Sequence, residues 1–429
     1  MDLTQQKLVK SEWEFLEVPI DSKEKNILSI IYNAYGNTSY SKNDSMSLLG
    51  FMKISNEDDS FHYYLYEEYF KTMCKKIIKK FELDINITRQ NRKKKAIKKA
   101  DIIRIKSLSK KIDDIKDVIF EFILIQNIYQ FFNKNYNSKN YYSLTQLMKN
   151  KIPFTNKYVL LLVNEVLINY KSKVSKKMLI KNALSHIEKN VDLFKFADMK
   201  LYSHQADLFE SAYREGSKLI LYQAPTGTGK TMSPVGLAKG NKIIFTCAAK
   251  HIGLQLAKAL ISMEIPIAIA FGCLDAADIR LHYFAAKDYV KNRRTGGIFR
   301  VDNSNGEKVQ VIITDIQSYL PAMNYMLAFN EPEKIIWYWD EPTITLDYDS
   351  HPFHDILQKN WKKNEIPNVV LSSATLPNKE DIMPMTAYFN NKFKTNNVEE
   401  IISYECKKSI PILDANGNIV MPHFLFKKF

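Results

Sequence analysis

The stretch Gln223-Ala-Pro-Thr-Gly-Thr-Gly-Lys-Thr231 decides how this chain is read. It follows the apolar run LILY (219–222) and opens onto a segment of helical character, so it is a strand-to-helix turn spaced by glycines. Such a turn lets consecutive backbone N–H groups converge on a phosphate, because small residues allow the main chain to come close. The phosphate-loop pattern G-x-x-x-x-G-K-[ST] has Ala224 in its first place and is otherwise complete. Gly227, Thr228 and Gly229 are expected to offer N–H groups to a β-phosphate, Lys230 to reach the β/γ oxygens, and the Thr231 hydroxyl to serve Mg2+.

Downstream, WYWDEPTI (337–344) ends an apolar strand on two adjacent carboxylates. Asp340 suits a magnesium ion held through its water shell, and Glu341 suits polarisation of an attacking water. An acidic turn alone says little, but with the phosphate loop upstream the pair predicts a site for ATP and Mg2+.

Apolar runs mark out the rest of that region: LILY, KIIFTC, IPIAIAF, VQVIITD, KIIWYWD and NVVLSS. Strands apolar on both faces belong to a parallel sheet covered on both sides. HIGLQLAKALISM (251–263) supplies a crossover helix. The fold class is therefore α/β, a doubly wound parallel sheet over residues 196–378, preceded by a mostly α-helical basic domain over 1–195. Residues 379–429 form an extension in which LDANGNIVM (413–421) reads as a hairpin turning at Asn-Gly.

Charge separates these parts. Of the net +14, residues 1–198 carry +12 and residues 199–429 only +2, with the densest run at 89–111. A lysine-rich front of this kind either neutralises nucleic-acid phosphates or is a solvated helix face. A composition of 45% hydrophobic and 25% charged residues excludes a disordered chain. The four cysteines form no CxxC pair, which excludes a disulfide framework and points to a reducing compartment. The greasiest runs, 118–132 and 158–170, are too short to cross a bilayer and each holds a glutamate, so no membrane partner is expected. MDLTQQKLVKSEWEF lacks the apolar core of a signal peptide; an intracellular setting is expected, whether cytoplasm, nucleus or viral factory.

With these elements in place, the chain resembles a superfamily 2 helicase in its first RecA-like domain. APTGTGKT is similar to that family's motif I, TCAAKHIGLQ (246–255) to motif Ia, VIITDIQSYL (311–320) to the next nucleic-acid-facing motif, WDEPT to motif II and LSSATLPN (371–378) to motif III. LYSHQ (201–205) resembles the adenine-reading Q motif, which implies that Gln205 contacts the base. All stand in the family's order. SATLPN followed by acidic residues resembles the Ski-type RNA helicases, whereas Pro342-Thr343 departs from them, and helicases of large DNA viruses fit as well.

The resemblance implies an ATP-dependent nucleic-acid helicase or translocase. Ser373 and Thr375 would couple hydrolysis to strand movement, and Thr246, Lys250, Gln255 and Thr314 would hold the phosphodiester backbone of RNA or DNA. It also implies a second RecA-like domain carrying arginines, yet residues 301–429 contain no arginine. A fragment, a split subunit with a partner polypeptide supplying the second domain, and a true truncation are all open. Slow hydrolysis and no unwinding by this chain alone are expected. The alternative is an ATP-regulated module that binds nucleic acid or a partner without unwinding.

Other constellations have simpler readings. His351-Pro-Phe-His354 is a loop rather than a zinc pair. Cys247 is a small buried hydrophobe. Trp337 and Trp339 pack between sheet and helices, and Tyr202 either stacks on adenine or packs at a helix start.

Overall fold

The computed structural model describes residues 5–40, 46–53, 58–89, 99–150, 152–182, 185–186, 190–196, 200–291, 298–345, 348–405, 412–417 and 419–421. Residues 90–98 of the densest basic run, 89–111, lie outside them. The chain forms two compact units: one of residues 1–41 and 199–406, the other of 42–198 and 407–429.

The first unit is built on a sheet. Its strands are β1 (Lys218–Gln223), β2 (Lys242–Cys247), β3 (Ile267–Ala270), β4 (Arg280–Leu281), β7 (Val311–Thr314), β8 (Ile335–Asp340), β9 (Asn368–Ser373) and β10 (Val398–Ile402). Between β4 and β7 a separate antiparallel hairpin pairs β5 (Tyr289–Lys291) with β6 (Ile298–Val301). The eight-stranded sheet runs in the order β10-β1-β9-β8-β2-β7-β3-β4, all parallel except β4, which pairs antiparallel with β3. This is a RecA-like doubly wound sheet.

Alternate residues of each strand serve opposite faces, as the pleat requires. Tyr222, Ile243, Phe245, Ile313 and Tyr338 enter one core with the helices Ser203–Tyr213 and Lys250–Ser262. Leu221, Ile244, Ile312, Trp337 and Leu371 enter the other, with the helices Tyr319–Leu327 and Met383–Phe393. Trp337 stacks on Tyr319 at 4.0 Å and on Trp339 at 4.8 Å, so the tryptophans pack between sheet and helices.

Both boundaries of the α/β region differ from the sequence reading. The helices Lys10–Glu17 and Ser22–Ala34 belong to the sheet unit, with Leu16, Leu28, Ile31 and Ala34 buried in its first core. At the other end β10 adds an edge strand beyond residue 378. The sequence VEEII escapes a search for wholly apolar strands because an edge strand is half solvated: Glu399 accepts from Ser211 and Arg214 at the end of the covering helix, and Glu400 is exposed.

The second unit is mainly helical. Phe70, Phe120, Phe122, Phe131, Tyr158 and Leu162 form its core. Inside it Glu121 is fully buried, accepting the Leu48 N–H at 3.0 Å and the Asn156 N–H at 2.9 Å. The short strands β11 (Ile412–Leu413) and β12 (Ile419–Met421) pair antiparallel around Asn416-Gly417, with Gly417 at φ 77° as the tight turn requires. Among the described residues no helix is long and apolar enough to cross a membrane.

A candidate nucleotide site at the carboxyl edge of the sheet

Strand register assembles the site. Gln223 stands level with Ser373, and Asp340 level with both Ser372 and Cys247. The loop after β1 and the acidic pair after β8 therefore emerge at one edge, separated only by β9. The carboxyl edge is where doubly wound sheets bind ligands.

Two glycines set the course of the loop. Gly227 and Gly229 both adopt left-handed conformations, φ 77° and 82°, which side chains with a Cβ rarely accept. Thr228 is buried and its hydroxyl donates to the Pro225 carbonyl at 2.7 Å, closing the turn from within. Ala224 is buried, and its carbonyl accepts from the Lys230 ammonium. Gln205 is likewise buried; its Nε2 donates to the Gly229 carbonyl at 3.1 Å, while its Oε1 accepts the Tyr202 N–H. Thr231 is half-buried just after the loop.

The charges are coupled. Burial pulls the Lys230 ammonium below its ordinary value, against the opposing pull of Glu341 and Asp340. Asp340 is only 3% exposed; burial first, then the neighbouring Glu341, push its carboxyl up to about 7, with Lys230 pulling the other way. Its Oδ1 is buried without a hydrogen-bond partner among the described residues. A buried oxygen left unpaired is costly, and a hard cation carrying its own water satisfies such an atom. The unpaired Asp340 Oδ1 thus fits a hard cation such as Mg2+.

Glu341 carries backbone strain. Its φ of 53° lies in the left-handed region, a conformation that costs about 1–3 kcal/mol outside glycine and clusters at working sites. Two bonds to β9 hold it there: Glu341 N–H to the Ser372 carbonyl at 2.7 Å, and the Ser373 hydroxyl to Glu341 Oε2 at 2.5 Å. The same Ser373 oxygen accepts the Thr375 N–H at 3.2 Å. Ser373 thereby ties the acidic pair to the segment leading away from β9.

The expected nucleic-acid contacts fare differently. Thr246 and Thr314 are completely buried. Thr246 Oγ1 accepts from Trp337 Nε1 at 3.0 Å, and Thr314 Oγ1 donates to the carbonyls of Asp315 and Ala270. Neither can grip a phosphodiester, which corrects the sequence reading: at these strand ends the pleat turns the hydroxyls inward. Lys250 is paired with Glu12 at 2.8 Å, and Gln255 is exposed on the Lys250–Ser262 helix.

Tyr202 stacks on His204, whose Nδ1 shares a 2.6 Å hydrogen bond with the Tyr222 hydroxyl. His351 caps the Pro352–Lys363 helix through the Phe353 N–H, and His354 bonds the Thr345 carbonyl, so both have structural partners. Two contributors went unread in the sequence. Tyr338 donates its hydroxyl to the Lys230 carbonyl at 2.8 Å; its inward turn between two tryptophans was the available signal. Glu12 meets Lys250 across 238 residues of chain and leaves no local signal at all.

No protein-family model and no curated protein matches the chain. Solved structures do match. A substituted Dbp5 from S. cerevisiae bound to Gle1 and IP6 is 16% identical over 50% of this chain and 49% of that one, at a TM-score of 0.29. A DEAD box protein from Methanococcus jannaschii is 14% identical over 47% and 55%, at 0.28. The DEAD-box helicase Mss116 bound to ssRNA and UDP-BeF is 13% identical over 58% and 47%, at 0.31. The chain spans about half the length of each.

Proposed function

We propose that the α/β unit is a nucleic-acid-dependent ATPase of the superfamily 2 helicase type. The observation that carries this reading is the meeting of Lys230, Asp340, Glu341 and Ser373 at the ends of the adjacent strands β1, β9 and β8. Motifs of that family standing in order along residues 201–378 support it further.

In this reading the N–H groups of Gly227 to Gly229 cradle the β-phosphate, and Lys230 moves from the Ala224 carbonyl to the β/γ oxygens. Mg2+, when bound, spreads the phosphate charge; Asp340 and Thr231 would hold it. Glu341, oriented by Ser373, accepts the proton of the attacking water. Gln205, already bonded to the Gly229 carbonyl, would contact the adenine and relay its presence to the loop. Ser373 and Thr375 pass the change at Glu341 to the segment after β9. A polypeptide carrying a second RecA-like domain would add the cation that faces the γ-phosphate.

The test is ATP turnover by the wild type and Glu341→Gln, with and without single-stranded RNA and DNA. The expected result is stimulation by a strand and a loss of about 10²-fold or more in the variant, the scale of a missing general base. Turnover that is indifferent to both the strand and the substitution would sink the proposal.

A further inference from the structure

A cleft of about 990 Å3 opens at the β3–β4 edge of the α/β unit, between the N-terminal segment and the β5–β6 hairpin. Among the residues facing it are the cations Lys7, Lys10, Arg280, Lys291 and Arg300, and the aromatic rings of Trp13 and Tyr283. Pairing sorts these charges. Lys7 is spent on Asp278, Lys10 lies 3.8 Å from Glu14, and Glu17 bonds His282 at 2.9 Å, where burial pulls the imidazole below its ordinary value and leaves it neutral beside the carboxylate.

Arg280, Lys291 and Arg300 are exposed and have no ion pair among the described residues. Arg280 Nη1 is fixed by the carbonyls of Ala277 and Ile279, which aims the guanidinium without neutralising it. Lys291 and Arg300 stand on the two paired strands of the hairpin, where Val290 faces Arg300. Exposed cations free of ion pairs, one of them anchored and one with Asp302 nearby, beside half-buried rings are what a single-stranded polynucleotide needs: phosphates find the charges, and bases find flat apolar faces. The positions expected from sequence are closed to it, since Thr246 and Thr314 are buried and Lys250 is neutralised by Glu12.

We propose that a single-stranded polynucleotide lies in this cleft, its backbone on Arg280, Lys291 and Arg300 and its bases against Trp13 and Tyr283. The proposal rests on the nucleic-acid-dependent ATPase reading and places the strand beyond the motif Ia helix. An acidic peptide is the competing occupant; the rings favour the polynucleotide.

The test uses the full chain and fluorescein-labelled oligo-U and oligo-dT, followed by anisotropy across a salt series. It compares wild type, Lys291→Glu/Arg300→Glu, the triple variant adding Arg280→Glu, and Tyr283→Ala. Expected are a loss of about tenfold or more in the double variant and, in the triple, a salt slope shallower by about 2, since a single strand gives roughly 0.7 per phosphate contact. Tyr283→Ala weakens binding without changing the slope. Binding of a fluorescent ATP analogue stays at the wild-type level throughout and shows that each variant is folded. Should the triple variant fail to fold, the double variant, confined to the exposed hairpin, decides alone. Wild-type affinity retained in the charge variants, with turnover still strand-stimulated, overturns the cleft and leaves the ATPase reading intact. Labelled polyglutamate bound in place of the oligonucleotides overturns the cleft in favour of a peptide. No strand binding and no stimulation by the wild type overturns both.

Discussion

The hydroxyl of the fully buried Tyr338, which faces the opposite side of the sheet from Trp337 and Trp339, donates to the main-chain carbonyl of Lys230 at 2.8 Å. The bond joins the strand that delivers Asp340 to the loop that follows β1, so the two halves of the candidate site share one anchor. Burial holds the phenol far above its ordinary value, with Tyr222 and Asp340 adding to the shift, so it stays a donor. Tyr338→Phe keeps the packing but leaves the Lys230 carbonyl without this partner. Expected are a loss of about 1–2 kcal/mol in stability and weaker binding of an ATP analogue, with near-native circular dichroism. Thermal melts and a nucleotide titration read the two effects. Unchanged affinity would show that the anchor does not shape the loop.

Ser373→Ala separates positioning from binding. It frees Glu341 Oε2 and removes the acceptor for the Thr375 N–H. Because Glu341 sits in a left-handed conformation, release lets its carboxylate wander. Turnover should fall by about tenfold or more, within the range of a mispositioned base, while ATP affinity changes little. Equal losses in affinity and turnover would instead make Ser373 part of the loop's scaffold.

At Gly229 two constraints add. Its φ of 82° disfavours any Cβ, and a Cβ built there stands 3.0 Å from Gln205 Nε2. Gly229→Ala should cost about 1 kcal/mol or more and abolish nucleotide binding. Pairing it with Gln205→Ala removes the close approach but not the backbone penalty, so stability should recover only in part. Complete recovery would mean that the glycine serves Gln205 rather than the turn.

What the sequence made legible follows from where the physics is local. Six apolar runs became β1, β2, β3, β7, β8 and β9, because strands buried on both faces announce themselves by composition alone. β10 did not, since Val398-Glu-Glu-Ile-Ile402 breaks its apolar run with two adjacent glutamates, and β4 is two residues long. The allegiance of residues 5–40 to the sheet was illegible because Lys7–Asp278, Glu12–Lys250 and Glu17–His282 join positions far apart in the chain. In the candidate site, the sequence singled out Lys230, Asp340 and Glu341, and strand register brings them to one edge of the sheet. Orientation decided the remainder: Thr246 and Thr314 carry suitable hydroxyls, and the pleat points them into Trp337 and the Asp315 and Ala270 carbonyls.

The Glu12–Lys250 pair gives the N-terminal helix a dependence on acid. Burial pushes the Glu12 carboxyl up, but the Lys250 ammonium and the Val9 N–H outweigh it and hold it below its ordinary value of 4.5. A depressed folded value means that the contribution is present above about 4.5 and is lost as the pH falls through the folded value. Limited proteolysis should therefore release residues 5–17 faster in Glu12→Gln than in wild type at neutral pH, and the difference should shrink in acid. Identical digestion at both pH values would show that apolar contacts such as Leu16 hold the helix unaided.

Glu121 reverses that sign in the helical unit. Burial lifts its carboxyl to about 7, although the N–H groups of Asn156 and Leu48 pull it down. The ordinary value is 4.5, so the folded state holds the proton across a window in which the unfolded chain has released it. Stability is therefore greatest below about 4.5, falls as the pH rises towards about 7, and is flat beyond. Glu121→Gln removes the titration but sets an amide NH2 against one of the two N–H donors, at a cost of about 1–3 kcal/mol. Thermal melts of both proteins near pH 5 and above pH 7 isolate the effect as a difference. The variant should be less stable at the lower pH, and the gap should narrow at the higher one. A gap independent of pH would show that Glu121 keeps one protonation state throughout.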